Sequence, residues 1–259
     1  MAPAPGGSFG AVTDDRVLAV LNEAATAVGT ALEALQDWGL AGTRAGQYRS
    51  DLLADEVALE VLLGAGLGVL SEETGLHHPE RAVTVALDPV DGSTNASRKL
   101  PWYATSLCAV DAGGPLAAVV VNLATGDRFE AVRGAGATLN GRVLEVSDCT
   151  AMADAVVCLN GWPVAHLGWR QMRAMGATAL DICAVGAGQL DAYIDCSDHA
   201  NAPWDYLGGV LVCREAGGLV ADAEGRELVT LGLTERRTPV AAATEKLLAE
   251  ALAARTGLG

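Results

Sequence analysis

Two aspartates three residues apart, Asp88 and Asp91, close an apolar, β-branched run that starts at Val83, and Gly92-Ser93-Thr94-Asn95 follow directly. The run reads as a buried strand. Pro89, between the two acids, has no N–H to donate, so the carbonyls beside it are free to face another partner. Gly92 permits a tight turn, and Ser93, Thr94 and Asn95 are residue types that cap a helix. Two hard oxygen donors beside the N–H groups of a helix start suit a divalent cation that holds a phosphate. A strand, an ordinary turn and a capped helix is the competing reading, because Asp-Pro and Asp-Gly are common turn formers.

Other acids stand where they can join this pair. Glu72 and Glu73 end a short apolar segment, Gly68-Val69-Leu70. Adjacent carboxylates repel unless solvated or neutralised, so an exposed turn is one reading and a shared cation another. The connection to the Val83 run is short, and two strand ends lying side by side would bring Glu72 to Asp88 and Asp91. Asp51 and Asp55 are spaced i, i+4 and share a helix face. We read Asp51 as a helix-start acid favoured by the dipole, and leave Asp55 open between that role and the site. Far downstream, Pro203-Trp204-Asp205 puts another acid in the first turn of a helix.

The elements that must position these groups follow from periodicity. Thr13-Asp14-Asp15 caps an amphipathic helix predicted to reach about Trp38, with Gly39 as its stop. After a polar loop holding Arg44 and Arg49, Ser50 caps a second helix through Leu62 that Gly64 ends. From Pro101 to Ser147 strands alternate with turns, including the Asn140-Gly141 hairpin signal, which predicts an antiparallel meander. Beyond it we expect a strand from Ala155 to Leu159, helices over Trp169–Met175 and Ala177–Ala187, and a strand from Gln189 to Asp195. A helix opened by Asn201-Ala202-Pro203 runs to Glu215. A hairpin around Ala223-Glu224-Gly225, a strand over Val240–Ala243 and a helix over Glu245–Arg255 complete the chain.

The 259 residues, 51% of them hydrophobic, can bury a substantial core, and 17 basic against 32 acidic residues leave a formal charge of −15. Such a balance argues against sequence-independent binding to a nucleic acid polymer. The six cysteines form no C-x-x-C pair and mostly sit in apolar runs, which reads as free thiols in a reducing, cytoplasmic setting. Residues 1–12 read as a flexible lead-in rather than a signal peptide, and no apolar stretch suits a membrane span.

Taken together, Glu72-Glu73, the run Asp88-Pro89-Val90-Asp91-Gly92-Ser93-Thr94-Asn95, and Trp204-Asp205 followed by Gly208-Gly209 resemble the inositol monophosphatase-like family of metal-dependent phosphatases. The signature D-P-[IVL]-D-G-[ST]-x-N is matched at every position, and the resemblance runs in order from about Thr13 to the C-terminus. It implies a layered αβαβα fold of the inositol monophosphatase/fructose-1,6-bisphosphatase type, in one compact unit. Residues 13–150 would form an N-terminal half with the metal motifs, and residues 151–259 a C-terminal half that completes the site. By the same resemblance Glu72, Asp88 and the Val90 carbonyl hold a first Mg²⁺, and Asp88, Asp91 and Asp205 a second. Asp55 takes part at a third, weaker site. Gly92 and Ser93, with Thr94 behind them, cradle the phosphate, and the Ser93 hydroxyl orients the attacking water together with Glu72.

The resemblance also places Asp195, Gly176, Thr178 and Asp205 against the leaving group. It implies a homodimer acting on a small phosphorylated polyol, sugar or nucleotide. Inositol monophosphate-like esters come first; histidinol phosphate, 3′-phosphoadenosine 5′-phosphate and fructose 1,6-bisphosphate are the alternatives. A non-catalytic metal- or phosphate-binding protein on the same fold is the rival from another class. The all-oxygen donor set leaves no metal to His77, His78, His166 or His199. Relatives often carry a Lys in the loop before the second helix, where this chain offers Arg44 and Arg49.

Overall fold

The computed structural model describes residues 14–197 and 201–257. Thr13, the lead-in and His199 lie outside the described residues. Helix α1 (Asp14–Glu33) buries a stripe of Val17, Leu21, Ala24, Ala25, Val28 and Leu32, the i, i+3, i+4 pattern of one apolar face. It stops five residues short of Trp38. There the chain tightens through Leu35 N–H to the Leu32 carbonyl, and Trp38 turns its ring edge-on to Tyr103, 6.0 Å between centroids. Packing of a large aromatic thus overrides a helical continuation. Helix α2 (Arg49–Gly64) starts at Tyr48, not at Ser50. A bridge between Leu40 and Tyr48 and the bond from Arg49 N–H to the Gly39 carbonyl hold Tyr48 extended, so the cap falls there.

Strands β1 (Gly68–Ser71), β2 (Gly75–His77), β3 (Thr84–Asp91), β4 (Ala104–Asp111), β5 (Gly114–Asn122), β6 (Arg128–Val132), β7 (Gly136–Leu139) and β8 (Arg142–Val143) form one sheet in the order β2-β1-β3-β4-β5-β6-β7-β8. The predicted meander is present from β4 to β8, and only the β1–β3 pair is parallel. Helix α3 (Ser93–Arg98) follows β3.

A second sheet, β10-β9-β11-β13-β12, joins β9 (Val156–Asn160), β10 (Gln171–Arg173), β11 (Ala192–Asp195), β12 (Leu219–Asp222) and β13 (Pro239–Ala242). The predicted helix over 169–175 is therefore wrong. Its centre, β10, pairs parallel with β9 as an edge strand, anchored where Arg170 and Gln171 N–H groups reach the Ala155 carbonyl. The turn at Ala223–Gly225 forms, but no tight hairpin follows it. The Asp222 carboxylate gathers Arg226 and the Thr238 N–H, and the pairing strand β13 returns only at Pro239.

Helices α4 (Thr178–Gly186) and α5 (Pro203–Glu215) lie between the sheets; α1 and α2 cover the outer face of the large sheet, and α6 (Glu245–Thr256) that of the small one. The order is αβαβα. Three apolar clusters fill the interfaces, the largest around α4 and α5. Cys108, Cys158, Cys183 and Cys213 are buried in it as free thiols. Among the described residues no helix is long and apolar enough to cross a membrane.

Candidate active site

An uninterrupted strand would send Asp88 and Asp91 to opposite faces, because side chains alternate with a period of two. The β3–β4 ladder breaks that rule here. Asp88 pairs with Ser106 and Asp91 with Ala104, so three steps on β3 match two on β4. The bulge falls at Pro89-Val90, where proline has no N–H to contribute to the ladder. It brings both aspartates to one cleft of about 240 Å³, at the end of β3.

Glu72 reaches the same cleft from β1. Its N–H continues the parallel pairing to the Leu87 carbonyl at 3.1 Å, which sets it beside Asp88. Asp205 comes from the first turn of α5, where one carboxylate oxygen accepts the Ala202 N–H at 2.6 Å and caps the helix. Helix α5 can sit this close only because Gly208 and Gly209 present no side chain. A Cβ on Gly208 would lie 2.7 Å from Ser106 Oγ, and one on Gly209 would lie 2.8 Å from the Ala179 carbonyl. Carboxylate oxygens of Glu72, Asp88 and Asp205 consequently lie within 4.8 Å of one another.

No Lys, Arg or His among the described residues pairs with these acids, and Asp88 Oδ1 is buried without a partner. Burial and mutual repulsion hold every member in its neutral form beyond the usual carboxylate range. Glu72 is pushed up to about 8, through burial first and the Asp205 charge next. Asp205 rises to about 7, through burial and then Asp91. Asp88 and Asp91 rise well above their ordinary value, burial again leading. An orphaned buried oxygen inside an all-carboxylate cluster is the donor set a divalent cation completes.

Asp91 is steered by α4. The Ala179 N–H donates to Asp91 Oδ2 at 2.7 Å, so the helix start carries this acid. Gly92 has φ +85°, and a Cβ there would lie 3.1 Å from both the Gly176 and Trp102 carbonyls. Asn95 does not cap its own helix; its Nδ2 donates to the Trp102 and Met175 carbonyls at 2.8 and 2.7 Å, bracing α3 against the loop before α4. The Ser93 hydroxyl donates to the Val90 carbonyl at 3.2 Å.

Asp51, which the sequence alone leaves as a helix-start acid, is the group that faces Ser93. It is buried, takes the Tyr48 N–H at 2.9 Å, and rises to about 6, chiefly through burial; Ser93 is among the hydrogen bonds that oppose the rise. Asp55 lies one turn further on. Both its oxygens are taken, by the hydroxyls of Ser71 and of Thr74, and it is not part of the three-acid cluster.

Of the expected substrate contacts, Gly92, Ser93, Gly176, Thr178 and Asp205 line the cleft. Thr94 does not; its exposed hydroxyl lies 3.3 Å from that of Tyr48. The Thr178 hydroxyl is engaged by Asn201 and Tyr193. Asp195 is fully buried behind Asn160 and Asn201, and these two line the cleft in its place. Sequence reasoning missed Asn160, Asn201 and also Asp181, which accepts the Trp102 indole N–H at 2.7 Å next to Asp91. The only signal for Asn160 was its place at a strand end.

Arg44 pairs with Glu73 at 2.9 Å, and Arg49 with Asp37 at 3.0 Å, so neither points into the acid cluster. His77, His78 and His166 lie elsewhere, bonded or stacked to Thr74, Glu80 and Trp169.

The model of the inositol monophosphatase family matches residues 16–257. A fructose-1,6-bisphosphatase/inositol-1-monophosphatase of Thermococcus kodakarensis is 34% identical over 201 residues, 76% of this chain and 78% of the relative. An inositol-1-monophosphatase of Rhizobium meliloti is 34% identical over 197 residues, covering 68% of this chain and 72% of that protein. The solved structure of a hypothetical Pyrococcus horikoshii protein, described as similar to inositol-1 monophosphatase, superposes with a TM-score of 0.84 at 24% identity, over 93% of this chain and 99% of that one; at that identity it speaks for the fold alone. This chain therefore belongs to the inositol monophosphatase family, whose members are metal-dependent phosphatases of phosphate monoesters.

Proposed function

We propose that the protein hydrolyses the phosphate monoester of a small polyol or sugar, inositol monophosphate-like esters first, with Mg²⁺ as its metal. The observation that carries this reading is the convergence of Glu72, Asp88 and Asp205 within 4.8 Å around the unpartnered Asp88 oxygen. Glu72, Asp88 and the Val90 carbonyl would hold a first ion, and Asp88, Asp91 and Asp205 a second. Asp55, closed off by Ser71 and Thr74, is the weakest candidate for a third. Bound Mg²⁺ supplies positive charge to the phosphate and the leaving oxygen and eases ionisation of a water.

The chain's own groups do the positioning. The N–H groups at the start of α3, at Gly92 and Ser93, have no helical partner and suit phosphate oxygens. The Ser93 hydroxyl donates to the Val90 carbonyl here; with that carbonyl given to an ion, Asp51 is the acceptor left to it, and the Ser93 oxygen would then face the water that attacks in line. Glu72 shares that water as an acceptor. No covalent nucleophile is required, since phosphate transfer rests on positioning and charge.

Phosphate release from a panel of polyol and sugar phosphates, with Mg²⁺ and with EDTA, tests the reading. The relatives' names make fructose 1,6-bisphosphate a necessary member of the panel. The wild type should release phosphate only with Mg²⁺, and Asp91→Asn should abolish release while the protein stays folded. Turnover retained in that variant removes Asp91 from the metal site.

A further inference from the structure

The wall of the cleft that would meet the leaving group is built from amides. Strands β9 and β11 are parallel, and Asp195 is in register with Asn160, so the two side chains leave the sheet at one level. Asp195 is fully buried, and both of its carboxylate oxygens are engaged. Ser197 donates both its N–H at 2.9 Å and its hydroxyl at 2.6 Å to Oδ1, Asn160 Nδ2 donates to the same oxygen at 3.2 Å, and Asn201 Nδ2 donates to Oδ2. Three donors fill Oδ1 and Asn201 holds Oδ2, so the buried carboxylate is closed off from a substrate by the groups packed against it.

The same carboxylate fixes both amides, because only their NH₂ ends can face an acceptor. Asn201 is spent at both ends, since its Oδ1 accepts the Thr178 hydroxyl at 3.0 Å. Asn160 is not. Its Nδ2 is turned to Asp195 and, at 3.4 Å, to Ser197 Oγ, whereas its Oδ1 has no partner among the described residues and the residue lines the cleft with Asp91 and Asp205.

We infer that Asn160 is a specificity-determining residue that accepts a hydroxyl of the leaving group through Oδ1, and that Asp195 is a positioning residue that aims it. The inference rests on the phosphatase reading and narrows its substrate class. A neutral acceptor selects the hydroxyl of an uncharged polyol or sugar; a carboxylate at the same place would also draw an ammonium group. The preferred substrates are thus phosphate esters with a free hydroxyl near the ester and no amine.

The test is a ratio measured on the Mg²⁺-loaded enzyme: kcat/KM for myo-inositol 1-phosphate over kcat/KM for p-nitrophenyl phosphate, whose leaving group has no further hydroxyl. Asn160→Ala should lower that ratio about tenfold, the factor expected for one hydrogen bond. Asp195→Asn should lower it by a similar factor, and the double variant should show no further fall, a non-additivity that a general loss of packing does not produce. Asn160→Asp should raise relative turnover of O-phosphoethanolamine. An unchanged ratio in Asn160→Ala, or full additivity with Asp195→Asn, overturns the amide wall and leaves the phosphatase reading standing. A wild type that releases phosphate from neither ester overturns both.

Discussion

Replacing Asp88 with Asn should make the metal-free protein more stable, although the residue is almost completely buried at the centre of the site. Asp88 approaches Glu72 and Asp205 within 4.8 Å, and its Oδ1 has no hydrogen-bond partner. Two unit charges at that distance repel by about 3.5 kcal/mol at an effective dielectric constant of about 20. The native state meets this cost either as repulsion or by holding a proton that the unfolded chain has released. Water in the open cleft screens part of it, and half the pair value leaves about 2 kcal/mol. For a chain of this size that corresponds to a rise in Tm of about 4 °C.

The assay is thermal unfolding at pH 8.5 in EDTA, repeated at saturating Mg²⁺. The wild type should gain about 2.7 kcal/mol when the ion is at a hundred times its Kd, close to 5 °C, and Asp88→Asn should lose most of that gain. A variant less stable than the wild type in EDTA, or one that Mg²⁺ stabilises just as much, would refute the view that repulsion among these acids weakens the metal-free protein and that Mg²⁺ relieves it.

Three other outcomes follow from the same geometry. Glu72 and Asp205 titrate at about 8 and about 7 in the folded protein, above their ordinary values of 4.5 and 3.8, so the native state holds protons that the unfolded state has lost. The stability of the metal-free protein is therefore full below about pH 4 to 4.5 and falls as pH rises toward about 8, and Mg²⁺ should flatten that slope; urea midpoints at four pH values would show it. Ser93→Ala and Asp51→Asn should each lower kcat by about 10² or more, with the double variant little worse than either, because the two act as one unit in single-turnover assays. Gly209→Ala should cost about 1–3 kcal/mol in chemical denaturation, since the new Cβ meets the Ala179 carbonyl at 2.8 Å and Ile182 Cβ at 2.9 Å, and backbone cannot step aside.

The amino-acid sequence by itself determined the local pieces. The apolar run into Asp88, the glycine that turns the chain after Asp91, the proline that opens α5 and the acid two positions after it follow from residue type and spacing, and each stands in the structure as read. The alternating turns from Pro101 to Ser147 likewise became the meander β4–β8. What failed at this level was set by distant partners. Trp38 left the first helix to meet Tyr103, and residues 171–173 became a strand because β9 offered an edge.

Only the tertiary structure decided which acids face one another. Asp51 and Asp55 lie one turn apart on α2, and a helix face cannot tell which turn will meet Ser93 and which will meet Ser71; packing of α2 on β1 and β3 made that choice. Asp195 ends its strand as expected, yet the parallel register with Asn160 turned its carboxylate into a buried support. Asp88 and Asp91 share a cleft because the bulge at Pro89-Val90 adds one residue to β3, and that is a property of its pairing with β4. Spacing along a chain fixes which side chains exist near a strand end. Their convergence in one cleft depends on contacts between residues far apart in sequence, which no local pattern encodes.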